Sequence, residues 1–261
     1  MKTSALATKL AVGFGLLATA GLSVQAAVVY NNLAPSSTDY TQRFNAGNTG
    51  GTSSLVGDEV TLGGPVTGGA GADHATLSLF QFDMWASGIA SPVLNPAQIQ
   101  AQVRFYANDG APLGTQGTHL PGSTLWDSGL FPITIQNTSS TDVLPGDVTL
   151  YNIAFTTDVA GLVVPQDFTW AIQFSGLGAN GMAGPLLWDP NSVGSSYPDY
   201  WFYNDTTSAW ELRGAGSTIW NFASEFEGTA VPEPAPILAM ACVILVGGMV
   251  AWRARSKTAV A

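Results

Sequence analysis

Two neighbouring glutamates come closest to a catalytic arrangement in this chain. Glu225 and Glu227 flank Phe226 in a run that alternates apolar and polar residues. On a β-strand, residues two apart lie on the same face, about 7 Å from each other. Glycoside hydrolysis uses a pair of carboxylates that flank the scissile bond. Two acids on a solvent-facing strand are also ordinary polar-face residues. The sequence therefore favours a protein without enzymatic activity, and a polysaccharide-active enzyme is the weaker alternative.

Other catalytic chemistries lack the side chains that they need. The region 27–231 contains two histidines, His74 and His119, both in stretches with glycine or proline, and the sequence has no Gly-x-Ser-x-Gly elbow. The single cysteine, Cys242, lies in an apolar run near the end of the chain. Disulfides, cysteine nucleophiles and thiolate metal sites are thus excluded from 27–231. No catalytic residue and no zinc site are predicted.

Acidic residues in turn-like sequences raise the question of calcium, a cation that takes oxygen ligands. Asp109, Asp189 and Asp205 each have Asn, Gly or Pro beside them, and 68–73 matches the start of a calcium-binding nonapeptide. One copy of that repeat cannot share ions between successive turns, and Asp and Asn are the usual residues of turns in any case. The sequence predicts no cofactor, although a structural calcium ion stays open.

Aromatic residues are concentrated between 188 and 210, where Trp188, Trp201, Tyr203 and Trp210 are candidate glycan-binding residues. Aromatic rings stack well on the apolar faces of sugars, since they combine a flat apolar surface with polar edges. The simpler interpretation is a hairpin with its turn at 204–208, whose aromatics pair across strands and fill the core. Both interpretations stay open, and the second is favoured.

Period-two alternation dominates the elements that would position these residues. It is clearest at 99–106, 168–174 and 220–227 and predicts strands with one buried face. Pro132 predicts an edge strand or a bulge, and the phase shift between Leu79 and Phe80 predicts a bulge. No long amphipathic helix pattern occurs in 27–230. The predicted fold class is all-β, an antiparallel sandwich or jelly roll. Further strands are expected near 28–30, 58–62, 76–84, 125–135, 148–155, 186–188, 200–203 and 210–212.

The region 27–231 is strongly acidic. It contains three arginines, no lysine and 17 acidic residues, a formal charge of −14. Binding to nucleic acid needs cations that neutralise phosphate, so nucleic acid is excluded as a partner. At about 200 residues the region is long enough for one domain with a substantial core.

The first 26 residues have the features of a secretory signal peptide. Lys2 and Lys9 supply a positive n-region, 10–22 is apolar, and the small residues that end at Ala26 predict signal-peptidase cleavage before Ala27. The sequence therefore predicts export, with signal peptidase as a processing partner.

The last 31 residues contain a short motif, an apolar run and a basic tail. Val231, Pro232, Glu233 and Pro234 precede an apolar segment at 235–252, and Arg253, Arg255 and Lys257 follow it. As a helix the segment is about 27 Å long at roughly 1.5 Å per residue, near the thickness of a bilayer core. The cations predict a cytoplasmic end, so that the body lies outside the cytoplasm.

This C-terminal arrangement resembles the PEP-CTERM sorting signal of exported bacterial proteins. The matching residues are the Pro-Glu-Pro motif, the apolar segment and the arginines, about thirty residues of the chain. The arginines are more widely spaced here than in the usual compact run. The segment 103–133 is similar to stretches in other secreted β-sandwich proteins with this tail. The resemblance implies processing by a membrane protease of the exosortase type at the motif, with a retained stop-transfer anchor as the alternative.

Three regions and one functional hypothesis follow from the sequence. The regions are a signal peptide at 1–26, an acidic β-sandwich domain at 27–230 and a sorting signal at 231–261, with a short linker expected at 228–230. The favoured function is a non-enzymatic structural or adhesive component of the cell surface or extracellular matrix, associated with exopolysaccharide or biofilm. A carbohydrate-binding module with an aromatic face around 188–210 is the alternative, and a polysaccharide-active enzyme is the third.

Overall fold

The alternating segments form β-strands, as the sequence predicts. A computed structural model describes residues 25–36, 39–40, 42–66, 73–87, 99–113, 119–133, 148–214 and 220–231. Within these residues the chain is all-β, apart from one 3₁₀ turn at Gly64–Val66. The strands are β1 (Ala27–Asn31), β2 (Gln42–Arg43), β3 (Val56–Thr61), β4 (His74–Ser87), β5 (Gln100–Ala107), β6 (Thr124–Asp127), β7 (Phe131–Pro132), β8 (Val148–Phe155), β9 (Val163–Pro165), β10 (Asp167–Ser175), β11 (Met182–Leu187), β12 (Ser195–Ser196), β13 (Tyr200–Asn204), β14 (Ala209–Arg213) and β15 (Ser224–Ala230).

The long strand β4 organises the first antiparallel sheet. Its order is β1-β15-β4-β11-β2, and β8 and β9 also pair with β4. The β15 ladder runs along most of β4, from Ala75 to Phe82, and β11 pairs with its last four residues. The N-terminal strand β1 pairs with β15, the last strand described.

The second sheet is also antiparallel and has the order β14-β13-β3-β10-β5-β6, with β12 paired to β3 and β7 paired to β5. Two long ladders form its centre, where β10 pairs with β3 on one side and with β5 on the other. The short strands β12 and β13 both pair with β3, the first at Val60–Thr61 and the second at Val56–Gly57.

The two sheets pack face to face through aromatic side chains. Phe80 of the first sheet lies 5.0 Å from Phe105 and 5.3 Å from Trp170 of the second, measured between ring centroids. Phe226 contacts Phe168 in the same layer at 5.2 Å. These side chains are fully buried, and burial of each contributes about 1.5–3 kcal/mol. Because 27–231 contains no cysteine, this region has no disulfides, and burial of the apolar core stabilises its fold.

Two local irregularities fall near the places that the sequence indicates. In the β4–β15 ladder the register shifts where Glu227 faces Leu79 and Gly228 faces Leu77, so the extra residue is Ser78, slightly earlier than predicted. Pro132 lies in the two-residue strand β7, for which β5 is the single pairing partner among the described strands. A proline is acceptable there because one side of the strand needs no donor.

The expected linker at 228–230 is wrong. Gly228, Thr229 and Ala230 are the end of β15 and pair with Leu77, Thr76 and Ala75. The Val231 amide then donates to the His74 carbonyl at 2.9 Å. The glycine that suggests a linker instead sits at the bulge, where a Cβ would lie 2.6 Å from the Thr76 carbonyl oxygen.

Residues 1–24 of the predicted signal peptide, the predicted motif from Pro232 onward, the apolar segment and the basic tail lie outside the described residues. Within the part of the chain that the structure describes, no helix combines the length and hydropathy needed to cross a bilayer.

Candidate functional site

The hairpin of β13 and β14 bends over the outer face of the second sheet. Its cross-strand pairs alternate, so Trp201, Tyr203 and Trp210 share one face. Trp210 contacts Tyr106 of β5, with 5.4 Å between ring centroids. Three strands separate β14 from β5 in the sheet, and in a flat sheet they would place these residues about 19 Å apart at roughly 4.8 Å per strand. The short distance therefore requires the hairpin to fold onto the sheet.

The bent hairpin brings its aromatic side chains to polar groups of the sheet, and we call this group of residues the hairpin cleft: Glu59, Tyr106, Asn108, Tyr203 and Trp210. Tyr203 and Trp210 pack edge to face at 5.2 Å. Both are partly buried and lie against a small core formed by Leu55, Tyr106 and Ala171. The Tyr203 amide donates to the Leu55 carbonyl at 2.9 Å, which fixes the hairpin on the sheet.

Glu59 lies on the sheet side of this cleft. The Asn108 side-chain amide donates to Glu59 Oε1 at 3.0 Å, and the Thr169 hydroxyl donates to Asn108 Oδ1 at 2.8 Å. Burial raises the pKa of Glu59 to about 7, and the carboxylates of Asp167 and Asp199 add to the rise. The cleft therefore contains a carboxylate that is half protonated near neutral pH.

An exposed tyrosine lies in the connection between β12 and β13. Tyr197 has 55% of its surface accessible, and the strands on either side of it both pair with β3. The preceding Ser196 bonds Asp58 in the interior, so alternation directs Tyr197 to the outer face of the sheet. An aromatic ring that is this exposed is available for contact with a ligand.

The four aromatic residues predicted as a glycan-binding set do not share one exposed surface. Trp201 is fully buried against the Gly57 position of β3. Trp188 belongs to a separate cluster with Tyr40, Trp85 and Leu186, and its ring lies 6.0 Å from that of Tyr40. Of the predicted set, Tyr203 and Trp210 are the members that lie partly exposed in the hairpin cleft, while Trp201 is buried on the same face. The structure also contains the hairpin of the simpler interpretation, with its turn between Asn204 and Ala209.

The glutamate pair lies elsewhere, on the outer face of the first sheet. Glu225 and Glu227 share a face of β15, as expected, while Phe226 points into the core. Glu225 accepts hydrogen bonds from Gln81 Nε2, at 2.8 Å, and from Asn31 Nδ2. Burial raises the pKa of Glu225, and Glu227 adds to the rise.

The other acids and histidines singled out in the sequence make local contacts. Asp109 Oδ1 accepts a bond from the Ser123 amide at 2.7 Å, and Asp205 is exposed in the hairpin turn. Asp189 Oδ1 accepts a bond from the Asn221 side chain at 3.3 Å and precedes a cis proline. His74 is paired with Asp73, and His119 Nδ1 contacts the Gly110 carbonyl at 3.0 Å.

No cluster of three or more His, Cys, Asp or Glu side chains placed to hold a metal ion occurs among the described residues. A shallow depression of about 470 Å³ is lined by Gly50, Gly51, Thr52, Gly176 and Gly178. Its lining offers a single hydroxyl side chain, so it brings no catalytic chemistry.

Glu59 and Asn108 are the site residues that sequence reasoning missed, whereas Tyr197 lies in the aromatic-rich stretch 188–210 that it indicated. The acidic pair Asp58–Glu59 inside a Val-Gly-Asp-Glu-Val strand is the available signal, because successive strand residues point to opposite faces and both cannot be solvated equally. No local sequence pattern predicts that the hairpin approaches β5, because the contact joins Trp210 to the distant Tyr106.

Comparison with models of known protein families gave no match for this chain. Neither the curated proteins nor the solved structures contained a significant match.

Proposed function

We propose that this protein is an exported, non-enzymatic adhesive component of the cell surface or matrix, and that its body binds polysaccharide in the hairpin cleft. The observation that carries the proposal is that Tyr203, Trp210 and the hydrogen-bonded pair Glu59–Asn108 lie on the same face of the second sheet. Rings that stack on sugars and polar groups that bond their hydroxyls are the two elements of a glycan site.

The charge of the body indicates which glycans fit. The three arginines of 27–231 are engaged: Arg104 with Asp127, Arg213 with Glu211, and Arg43 over the Trp85 ring. With a formal charge of −14 in this region, a polyanionic sugar chain would be repelled over distances of about 10 Å. The proposed ligand is therefore a neutral or amine-bearing polysaccharide.

Sorting and localisation belong to the same proposal. The signal peptide at 1–26 would direct export, and the tail at 231–261 would hold the chain in the inner membrane until an exosortase-type protease acts at Val231–Pro234. The body would finally reach the cell surface or the extracellular matrix. The end of β15 at Ala230 supports a boundary at the motif, because the last strand of the body is complete before the motif begins.

The arrangement of Glu225 gives an enzymatic function less support. Glu225 already accepts bonds from two neutral side chains, and Glu227 lies beside it on one strand rather than across a cleft. Glycosidases place their two carboxylates on opposite sides of the scissile bond.

Binding of the purified full chain to matrix polysaccharide from the producing cells tests the glycan proposal. Tyr197→Ala and Trp210→Ala should each weaken binding about tenfold, corresponding to roughly 1.4 kcal/mol per lost stacking contact. Affinity electrophoresis or sedimentation with the polysaccharide would measure the loss.

Trp188→Ala is the matched control, because Trp188 is also partly buried but belongs to the separate Tyr40 cluster. It should leave binding unchanged. Failure of the unmodified chain to bind any matrix polysaccharide would sink the proposal. So would equal loss in Trp188→Ala, because that result would indicate a general effect on the fold.

A further inference from the structure

A hydroxyl, a side-chain amide and a carboxyl group lie in one hydrogen-bonded row on the outer face of the second sheet. The Thr169 hydroxyl donates to Asn108 Oδ1 at 2.8 Å, and Asn108 Nδ2 donates to Glu59 Oε1 at 3.0 Å. Thr169 and Glu59 are also direct partners in the β3–β10 ladder, which places their Cβ atoms about 5 Å apart. Three neighbouring strands, β3, β10 and β5 with the residue after it, therefore hold the three groups together.

The Thr169 hydroxyl oxygen is within reach of the Asn108 amide carbon. The hydroxyl oxygen lies 2.8 Å from Oδ1. Since a C=O bond is about 1.23 Å long, Oγ1 and Cγ are no more than about 4 Å apart. Atoms poised to react are about 3–3.5 Å apart, so a small rotation of the Asn108 side chain suffices. Thr169 is fully buried, and its β-branched side chain has a restricted χ1. The attacking oxygen is thus held in place before any reaction.

Glu59 is placed to move a proton between the two reacting groups. It accepts a hydrogen bond from the amide nitrogen, and it lies opposite the residue that carries the hydroxyl. Burial raises the pKa of Glu59 to about 7. A group that titrates near the working pH can both accept and return a proton. Glu59 can therefore serve as the base for the hydroxyl and as the acid for the leaving nitrogen.

We propose that Thr169 and Asn108 form an ester cross-link within the chain, with Glu59 as the proton carrier. Thr169 Oγ1 bonds to Asn108 Cγ, and the Cγ–Nδ2 bond breaks. The hydroxyl proton passes through Glu59 to Nδ2, which leaves as ammonia. The atoms balance without an oxidant, a metal or a cofactor. The groups are consumed once, so the reaction gives a cross-link and no turnover.

Two effects drive the ester forward. Groups held in a reactive arrangement act at effective concentrations of about 10⁵–10⁸ M. Ammonia that leaves the site is diluted in bulk water and takes up a proton there, as amines do at neutral pH. Because Thr169 is fully buried, water has little access to the oxygen of the ester.

The cross-link would do in this body what disulfides do in other exported proteins. The region 27–231 contains no cysteine, although exported proteins commonly rely on disulfides. The ester would join positions that are 61 residues apart and would restrict the unfolded chain as a disulfide does. It would also tie the central strand β10 to the end of its neighbour β5.

Intact mass of the full chain, purified in mild detergent at neutral pH, tests the cross-link. The mass should be about 17 Da below that calculated for its termini, which is the ammonia lost in the modification. Tandem mass spectrometry should join the peptides that contain residues 108 and 169. Mild alkali should separate them and leave aspartate at position 108. The linked chain should melt about ten degrees above Thr169→Val.

Variants at the three positions separate the ester from an ordinary hydrogen-bond network. Thr169→Val keeps the side-chain shape without the hydroxyl and should have the full calculated mass, whereas Thr169→Ser should keep the deficit. Glu59→Gln should slow the linkage about a hundredfold or more. Thr61→Ala is the matched control, because its hydroxyl lies on the same face and donates to Asp167 at 2.5 Å. It should keep the deficit.

Should Thr169→Val fail to fold, Asn108→Asp replaces it, because this partly exposed position then keeps its size and oxygen and has no ammonia to release. A full calculated mass for the unmodified chain would overturn the proposal. So would a deficit that persists in Thr169→Val or Asn108→Asp. These masses are measured without any glycan, so their outcome is independent of the polysaccharide-binding test.

Discussion

At the scale of single residues, the environment of β3 separates two neighbouring acids. Asp58 points into the sandwich, and Glu59 points into the hairpin cleft. Burial raises the pKa of each, because the charged form loses hydration. For Glu59 the carboxylates of Asp167 and Asp199 raise it further, to about 7. Because successive side chains of a strand point to opposite faces, two neighbouring acids of β3 have different chemical environments.

The raised pKa of Glu59 makes the stability of the protein depend on pH. The folded state keeps a proton on Glu59 up to about pH 7, whereas the unfolded chain loses it near pH 4.5. The folded state binds more protons between these values, so its contribution to stability is greatest below pH 4.5 and is lost as the pH rises through 7. Because Glu59 is partly exposed, we expect a loss of about 1 kcal/mol between pH 5 and pH 8.

Urea denaturation at several pH values measures this dependence. Glu59→Gln should flatten the fall in unfolding free energy between pH 5 and pH 8, because glutamine does not titrate. Glu211→Gln is the control, since the pKa of Glu211 is lowered by its bonds to Asn204 and Arg213. An unchanged slope in Glu59→Gln would show that Glu59 has an ordinary pKa in the folded protein.

At the scale of elements, β15 shows how a short glycine-containing stretch can belong to a strand. The sequence from Gly228 to Ala230 has the composition of a linker, but it pairs with β4 over three residues. The bulge at Ser78 accommodates Gly228, because the missing side chain lets the two backbones approach. Tertiary pairing therefore overrides the local signal.

Gly228→Ala distinguishes a paired strand from a linker. In the strand, the added Cβ would meet the Thr76 carbonyl oxygen at 2.6 Å, and we expect a destabilisation of about 1–3 kcal/mol. Chemical denaturation of the purified chain measures it. Thr229→Ala, at the neighbouring partly buried position, should cost less than 1 kcal/mol. Equal stabilities of Gly228→Ala and the unmodified chain would contradict the pairing.

At the scale of the whole molecule, the two ends of the folded body lie side by side, next to the two points where the proposed processing would cut the chain. The first strand, β1, and the last, β15, are neighbours in one sheet. Removal of a signal peptide before Ala27 would leave β1 intact, and cleavage at the motif would leave β15 intact. The proposed processing thus trims the chain at both borders of the folded body without removing a strand.

Intact mass of the protein released from cells tests this processing. We expect a chain that begins at Ala27 and ends between Val231 and Pro234. Replacing Pro232, Glu233 and Pro234 by alanine should leave the protein in the membrane. Recovery of chains through Ala261 in the membrane, with none released, would instead identify a retained anchor.

The sequence by itself determined the all-β class, most of the strands and their buried faces, because side-chain alternation is a local property of a strand. The tertiary structure decided which strands are neighbours and that 228–230 is paired with β4. It also decided that Trp188 packs in a separate cluster and that Trp201 is fully buried. It alone brought Trp210 to Tyr106. These contacts join residues 100 or more positions apart, and they depend on the bend of a hairpin and the packing of two sheets, which no local pattern encodes.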